Sequence, residues 1–339
     1  MLVKLKDVCK QNCYKQIDAE SLEKLIDNNS FEVKLLPSSK NYDWFTSFKD
    51  GANFVCNGEI VTLGKARYAN IKYWKGSFIS ANNIIIESNN KDLVKTKYLY
   101  YFLTKTSKDY YIETTSYPKF DQKSFDKHLI NLPSIVLQNY RISNLDALFE
   151  LINSEEKDIA KLNALIKSRF IEMFGDPILN SKNLPIKKVI DVVTMQRGFD
   201  LPIQDRITEG SIPLYGSNGL IDYHNVPKVN SGIITGRSGT IGEVYCSKVP
   251  FWPLNTTLFS KDTHGNNIIY LKYLLTLFDL SRFSTGSGVP TLNRNNFHGE
   301  EIIDSPIELQ NEFAAFVELI DKLKFSIRTP VINSNRVIY

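Results

Sequence analysis

The chain has 339 residues, 42% of them hydrophobic and 23% charged, with a net charge of +4 and a pI near 8.6. That length suits two domains of ordinary size, and the composition is that of globular protein. The mild basic excess permits a nucleic-acid partner without demanding one. The opening run Met1-Leu2-Val3-Lys4-Leu5-Lys6-Asp7 lacks the apolar core of a signal peptide, and no stretch could span a bilayer. The expectation is a cytoplasmic protein with no membrane partner.

The first block, residues 1–136, mixes short β-rich runs with turns. Phe54-Val55-Cys56, Ile60-Val61-Thr62-Leu63 and Asn83-Ile84-Ile85-Ile86 read as strands, with Gly51, Gly58, Gly64 and Gly76 as turn points between them. Tyr98 to Thr104 reads as a buried helix. Pro133-Ser134 then signals a helix start, and Phe174-Gly175-Asp176-Pro177 a stop, giving a central helix over 137–177. Counting by three and four from Leu145 reaches Leu148, Ile152, Glu155, Ile159, Leu162, Ile166, Arg169 and Met173, and seven of these nine are apolar. A spacing held so long marks a seam made for another helix, with Glu155 and Arg169 as candidate register-setting interruptions.

The second block, 178–305, repeats the style of the first. Ile233-Ile234-Thr235, Gly242 to Tyr245 and Thr257-Leu258-Phe259 read as strands, and Tyr270 to Phe278 as a helix. A second, shorter seamed helix over 306–328 carries Phe313, Phe316, Ile320, Leu323 and Ile327, meets Pro330, and leaves a tail over 329–339 without amphipathic pattern. The likeness between blocks is a duplication. At an offset of 172 residues, Tyr98 to Thr104 falls on Tyr270 to Thr276, Pro118 on Pro290, Asp121 on Asn293, Phe125 on Phe297 and Leu137-Gln138-Asn139 on Leu309-Gln310-Asn311. An offset of 173 pairs Thr62 with Thr235 and Asn82 with Asn255. The unit is therefore a globular α/β domain followed by a helix, repeated. The predicted fold is α+β, with two similar domains joined by long helices that pack as an antiparallel coiled coil through Leu145, Leu148, Ile152, Ile159, Leu162, Ile166, Met173, Phe313, Phe316, Ile320 and Leu323.

No reaction centre is legible. Gly58 to Ala66 superficially resembles a phosphate loop, but it has one residue too many between glycines, and Ala66 stands where a magnesium-binding hydroxyl is needed. Gly236 to Gly242 misses the dinucleotide spacing and precedes a strand, so it reads as a turn. There is no Asn-Pro-Pro-aromatic tetrad for methyl transfer and no G-x-S-x-G elbow. Cys9, Cys13, Cys56 and Cys246 form no metal pattern, and the four histidines are scattered. A duplicated chain without a reaction centre fits binding better than catalysis.

A two-lobed binder suits a ligand with two separated recognition elements, as double-stranded DNA presents. Gly236-Arg237-Ser238-Gly239-Thr240 offers backbone donors, hydroxyls and a guanidinium, and Thr291, Asn293 and Arg294 follow in a second polar loop. The matching loops of the first block carry Lys65, Arg67, Lys119 and Lys123. Like scaffolds with unlike tips would read two different short sequences. The rival reading is a non-catalytic helical protein–protein scaffold with two binding lobes.

Several runs carry a family resemblance: Arg169 to Pro177, Pro185 to Val192, Gln196-Arg197-Gly198-Phe199-Asp200-Leu201-Pro202, Arg237 to Gly242, and Pro306 to Asn311. In this order and duplication the chain resembles the DNA specificity subunit of a type I restriction–modification system, over nearly its whole length to about residue 328. The resemblance implies two target-recognition domains reading the halves of a bipartite, interrupted DNA sequence, and a coiled coil that sets the spacer between them. It also implies docking of two methyltransferase subunits and then of restriction (motor-nuclease) subunits. S-adenosylmethionine, ATP and magnesium would belong to those partners, with no cofactor or metal on this chain. The first block departs from the pattern, with Leu63-Gly64-Lys65-Ala66-Arg67-Tyr68 in place of Arg-Ser-Gly-Thr, and so does the short terminal helix, which suggests a chain truncated or recombined at its end.

Overall fold

The apolar runs of both blocks form strands in the computed structural model, which describes every residue except 40–42, 67–69, 116, 207–208, 287 and 339, with side chains of the terminal helix described as far as Ile327. The chain divides into two compact units, Met1–Leu151 and Ile152–Tyr339. The central helix, Ile135–Phe174, contributes residues to both.

In the first unit the central strands Cys56–Gly64, Lys72–Ala81 and Asn83–Ser88 belong to a seven-stranded mixed sheet. Both faces are buried, because successive side chains of a strand point opposite ways. Val61, Leu63, Ile84 and Ile86 pack with Leu99, Leu103 and Phe125 on one side, while Ile60, Ile85, Phe78 and Leu36 form a cluster on the other. Helix Thr96–Lys105 covers the first of these faces. The second unit keeps a smaller four-stranded sheet, in the order Thr194–Arg197, Thr257–Asp262, Gly232–Gly236, Val244–Ser247, with helix Ile268–Phe278 against it.

The duplication holds down to individual pairings. Val3 pairs with Ile130 between antiparallel strands in the first unit, and Lys187 with Ile302 in the second. Val61↔Ile86 and Thr62↔Ile85 recur as Ile234↔Phe259 and Thr235↔Leu258. At the entry to each long helix sits a buried glutamine. Gln138 Oε1 accepts the Lys95 N–H at 3.0 Å, and its Nε2 donates to the Pro133 carbonyl at 3.0 Å. Gln310 accepts the Asn267 N–H at 2.9 Å and donates to the Ser305 carbonyl at 2.8 Å. Each glutamine ties the start of its helix to the start of the helix that packs on the sheet, Thr96–Lys105 or Ile268–Phe278, so its own buried amide is paired there.

Three expectations need correction. Gly58 and Gly76 are not turn points. They face each other within one long ladder between Cys56–Gly64 and Lys72–Ala81, and the Tyr14 hydroxyl occupies the space a Gly58 side chain would take. The separate Phe54–Cys56 and Ile60–Leu63 strands are therefore one strand beginning at Cys56. The terminal helix does not stop near 328 but runs Ile307–Ile338, through Pro330. A proline inside a helix removes one backbone hydrogen bond and bends the axis without obliging the chain to leave it. Finally, the fully buried stripe in the last turns of the central helix is Ile166–Phe170–Phe174, with Met173 packed at its margin and Arg169 outside it. Phe170 and Phe174 meet Phe313 edge-on, with ring centroids 5.4 and 5.7 Å apart, and both also contact Tyr270 of helix Ile268–Phe278.

Of the expected seam residues, Leu162, Ile166, Met173, Phe313, Phe316 and Ile320 share this one hydrophobic cluster. Ala314 and Val317 join it unforeseen, whereas Leu323 is 46% exposed. Three helices meet here, so the buried stripe is wider than a two-helix seam and turns toward the third. Leu145, Leu148, Ile152 and Ile159 are half-buried. Arg169 forms ion pairs with Glu172 at 2.9 Å and across to Glu312 at 3.0 Å, which gives this polar interruption an interhelical partner.

Candidate nucleic-acid interface

In the second unit the strand ending at Gly236 turns sharply, because the Thr240 carbonyl folds back into the space of a Gly236 side chain. Arg237 thus leaves the sheet edge at a defined point. Its carbonyl accepts the Leu292 N–H at 2.8 Å, and Ser238 bridges Thr291. This crossing brings two loops distant in sequence side by side. Arg197, Arg237, Thr291, Asn293 and Arg294 line one cavity of about 440 Å³, together with Thr285 of the same polar loop and Asn295, which the sequence did not single out.

The cavity is cationic. Among the described residues neither Arg237 nor Arg294 has an ion-pair partner, while Arg197 is held by Asp200 at 3.1 Å. Asp200 also accepts a hydrogen bond from Asn255, so it orients the Arg197 fork rather than merely neutralising it. The single turn Arg294–Asn296 begins at Asn293, whose side-chain oxygen accepts the Asn295 N–H at 3.0 Å. Asn293 is therefore a cap, with its amide nitrogen left over. Beneath it the buried His298 accepts the Met195 N–H at Nε2, 3.1 Å. Burial, with Arg294 nearby, lowers the His298 pKa and favours that neutral acceptor form.

Three of the backbone donors expected of the Arg237 loop are already occupied. The N–H groups of Arg237 and Ser238 bond the Thr256 carbonyl at 2.8 and 3.2 Å, and Gly239 bonds Pro290 at 3.1 Å. What faces outward is side-chain chemistry: the Arg237 guanidinium and the exposed Thr240 hydroxyl, with Ser238 half-buried.

The first unit builds the same crossing from different side chains. The Lys65 carbonyl accepts the Phe120 N–H at 3.1 Å, and Ala66 bridges Lys119. Lys65, Lys119 and Lys123 are exposed, and Arg67 lies outside the described residues. Asp121 caps helix Gln122–Lys127 by accepting the Ser124 N–H at 2.8 Å, at the position of Asn293. A further brace is peculiar to this unit and was not read from the sequence. Buried Lys72 donates to the Pro37 and Ser39 carbonyls, and Asn70 donates to Ser38 at 2.7 Å, tying that segment beside the Lys65 loop. Duplication located the shared crossing, but a brace with no counterpart in the other copy left no repeat to find.

Among the described residues no cluster of three or more His, Cys, Asp or Glu could hold a metal, and no helix is long and apolar enough to cross a membrane.

Residues 1–164 match the model of a family described as type I restriction modification DNA specificity domain. No curated protein matches the chain. Among solved structures, the type I restriction–modification S subunit from M. genitalium is similar at 12% identity, over 100% of this chain and 93% of that one, with a TM-score of 0.66. A structure from work on complex assembly and conformational transition of the type I R-M system is similar at 14% identity, over 100% and 95%, with a TM-score of 0.51. The family match thus spans the first unit, and the second repeats that unit's strand pairings. The chain as a whole is similar in fold to specificity subunits of type I restriction–modification systems, and the family match lies in its first half.

Proposed function

We propose that each unit reads one half of a bipartite, interrupted target in double-stranded DNA, while the long helices pair as an antiparallel coiled coil, set the spacer and dock two methyltransferase subunits. Restriction subunits join that assembly, and S-adenosylmethionine, ATP and magnesium act on those partners. One observation carries the reading. The same main-chain crossing, Lys65 with Phe120 and Arg237 with Leu292, presents lysines in one unit and arginines in the other. An unchanged scaffold with changed tips is what two readers of different sequence require, because base edges are told apart by side-chain donors and acceptors.

Mapping adenine methylation in cells that express the chain with its methyltransferase partners tests this. A bipartite motif should appear, and disappear when the chain is deleted. Arg237→Ala should relax one half-site only, with a loss of about 1–3 kcal/mol of discrimination at the base concerned. Simultaneous relaxation of both halves, or of neither, would overturn the assignment of separate readers.

A further inference from the structure

We infer that Asp146 in the first unit and Glu318 in the second are positioning residues that lock each recognition sheet at a fixed angle to its own long helix, and so make the chain intolerant of altered spacer length. The inference rests on the bipartite reading above and concerns how strictly the gap is enforced.

Both residues stand eight positions after the buried glutamine that begins the helix, Gln138 or Gln310, and they correspond in the duplication. Around that glutamine the helix is held by apolar contacts, with Ile142 packed on the first core and Phe313, Val317 and Ile320 buried in the second. A directional hold about 12 Å further along fixes the angle that such contacts leave adjustable. In the first unit the second hold is a chain of polar contacts from sheet to helix. Asp146 accepts from Lys97 Nζ at 2.8 Å and from the Tyr101 hydroxyl. Lys97 Nζ also lies 5.1 Å from the centre of the Tyr73 ring. Tyr73 in turn donates to Glu59 at 3.1 Å, and Glu59 binds Lys91 at 3.2 Å. Glu59 and Tyr73 sit on the two central strands, so the path runs without a break from the sheet to the helix.

In the second unit the same helix position is reached by other means. Glu318 pairs with Lys248, directly after strand Val244–Ser247. Different partners converge on one acidic position, which ordinary surface pairing does not require. The choice of polar contacts matters because apolar surfaces slide over one another, whereas charge-assisted hydrogen bonds are directional. A pivot of about 10° over a lever of roughly 25 Å, the span of a small domain, moves its tip by about 4 Å. That exceeds the rise of one base pair, about 3.4 Å.

The test uses the full chain with its methyltransferase partners, and compares methylated sites for wild type, Asp146→Asn and Glu318→Gln. Each variant should keep both half-sites but gain sites whose spacer is one base pair longer or shorter, at least about tenfold above wild type, equivalent to about 1.4 kcal/mol. The conservative Asp146→Glu, which keeps the carboxylate that accepts from Lys97 and Tyr101, should keep strictness. An unchanged spacer in both variants overturns the inference, and so does a uniform fall in methylation at every site. Should Asp146→Asn impair folding, Glu318→Gln still decides, because its ion pair is half-exposed and lies outside the core. A wild-type motif that is not bipartite would instead defeat the underlying reading.

Discussion

Lys72 shows how one buried charge braces the segment beside the Lys65 loop and what it costs. Burial, and then the nearby Lys34 ammonium, lower its pKa from 10.5 to about 8. Below pH 8 the amine is protonated in both folded and unfolded chains, and the folded state bears the full desolvation of a cation. Between pH 8 and 10.5 the folded chain releases the proton first, so the unfolded state binds more protons and stability rises with pH. Wild type should therefore gain about 1–3 kcal/mol relative to Lys72→Met between pH 7.5 and 10, measured by urea unfolding at each pH. A constant difference across that range would show the ammonium to be fully compensated by its two carbonyl acceptors. At this scale the sequence was informative where residues recur: Arg197, Arg237, Thr291, Asn293 and Arg294 were singled out and come together at one cavity. It was silent on which polar atoms are already occupied, because the Asn293 cap and the bound Arg237, Ser238 and Gly239 amides depend on the close approach of Thr256 and Pro290.

The elements were legible in kind and order, less so in facing. Runs such as Ile84-Ile85-Ile86 declared a strand buried on both sides, but Lys72–Ala81 went unread because lysines and Gly76 interrupt its pattern. The central helix was read with its start and its Gly175 stop, where φ is +76°. Its buried stripe was not, because a count by three and four assumes one partner helix, while Phe170 and Phe174 serve two. Phe170 stacks on Tyr270 at 5.8 Å and meets Phe313 at 5.4 Å. Phe170→Ala should cost about 3–5 kcal/mol, since the cavity is bounded by two other helices and cannot readily collapse. Denaturant unfolding would reveal it. A cost below 1 kcal/mol would mean that the three helices repack around the gap.

Each unit has its own core. Tyr110, Phe125 and Leu99 belong to a cluster drawn wholly from residues below 152, and Tyr270, Phe297 and Phe313 to one drawn wholly from residues above it. Separate cores permit separate unfolding. Phe125→Ala should lower one transition in a calorimetric scan while leaving a second in place, and Phe297→Ala should do the converse. A single transition that shifts as a whole in both variants would make the chain one cooperative body. The duplication made this organisation readable from the sequence, because a repeat of some 170 residues already implies two centres of burial.

The tip crossing has one further consequence, for how such a chain changes over generations. Lys65 with Phe120, and Arg237 with Leu292, are joined by a peptide carbonyl and a peptide N–H, groups that nearly every amino acid supplies. The Lys65 and Arg237 side chains are thus released from holding the loop, whereas Phe120 and Leu292 pack into the two cores. A mutation at Lys65 or Arg237 changes the side-chain chemistry at the crossing without loosening it, and a duplicated gene can let one copy drift while the other stays as it was. If the crossings read DNA as proposed, a change of target needs only single substitutions on a standing frame.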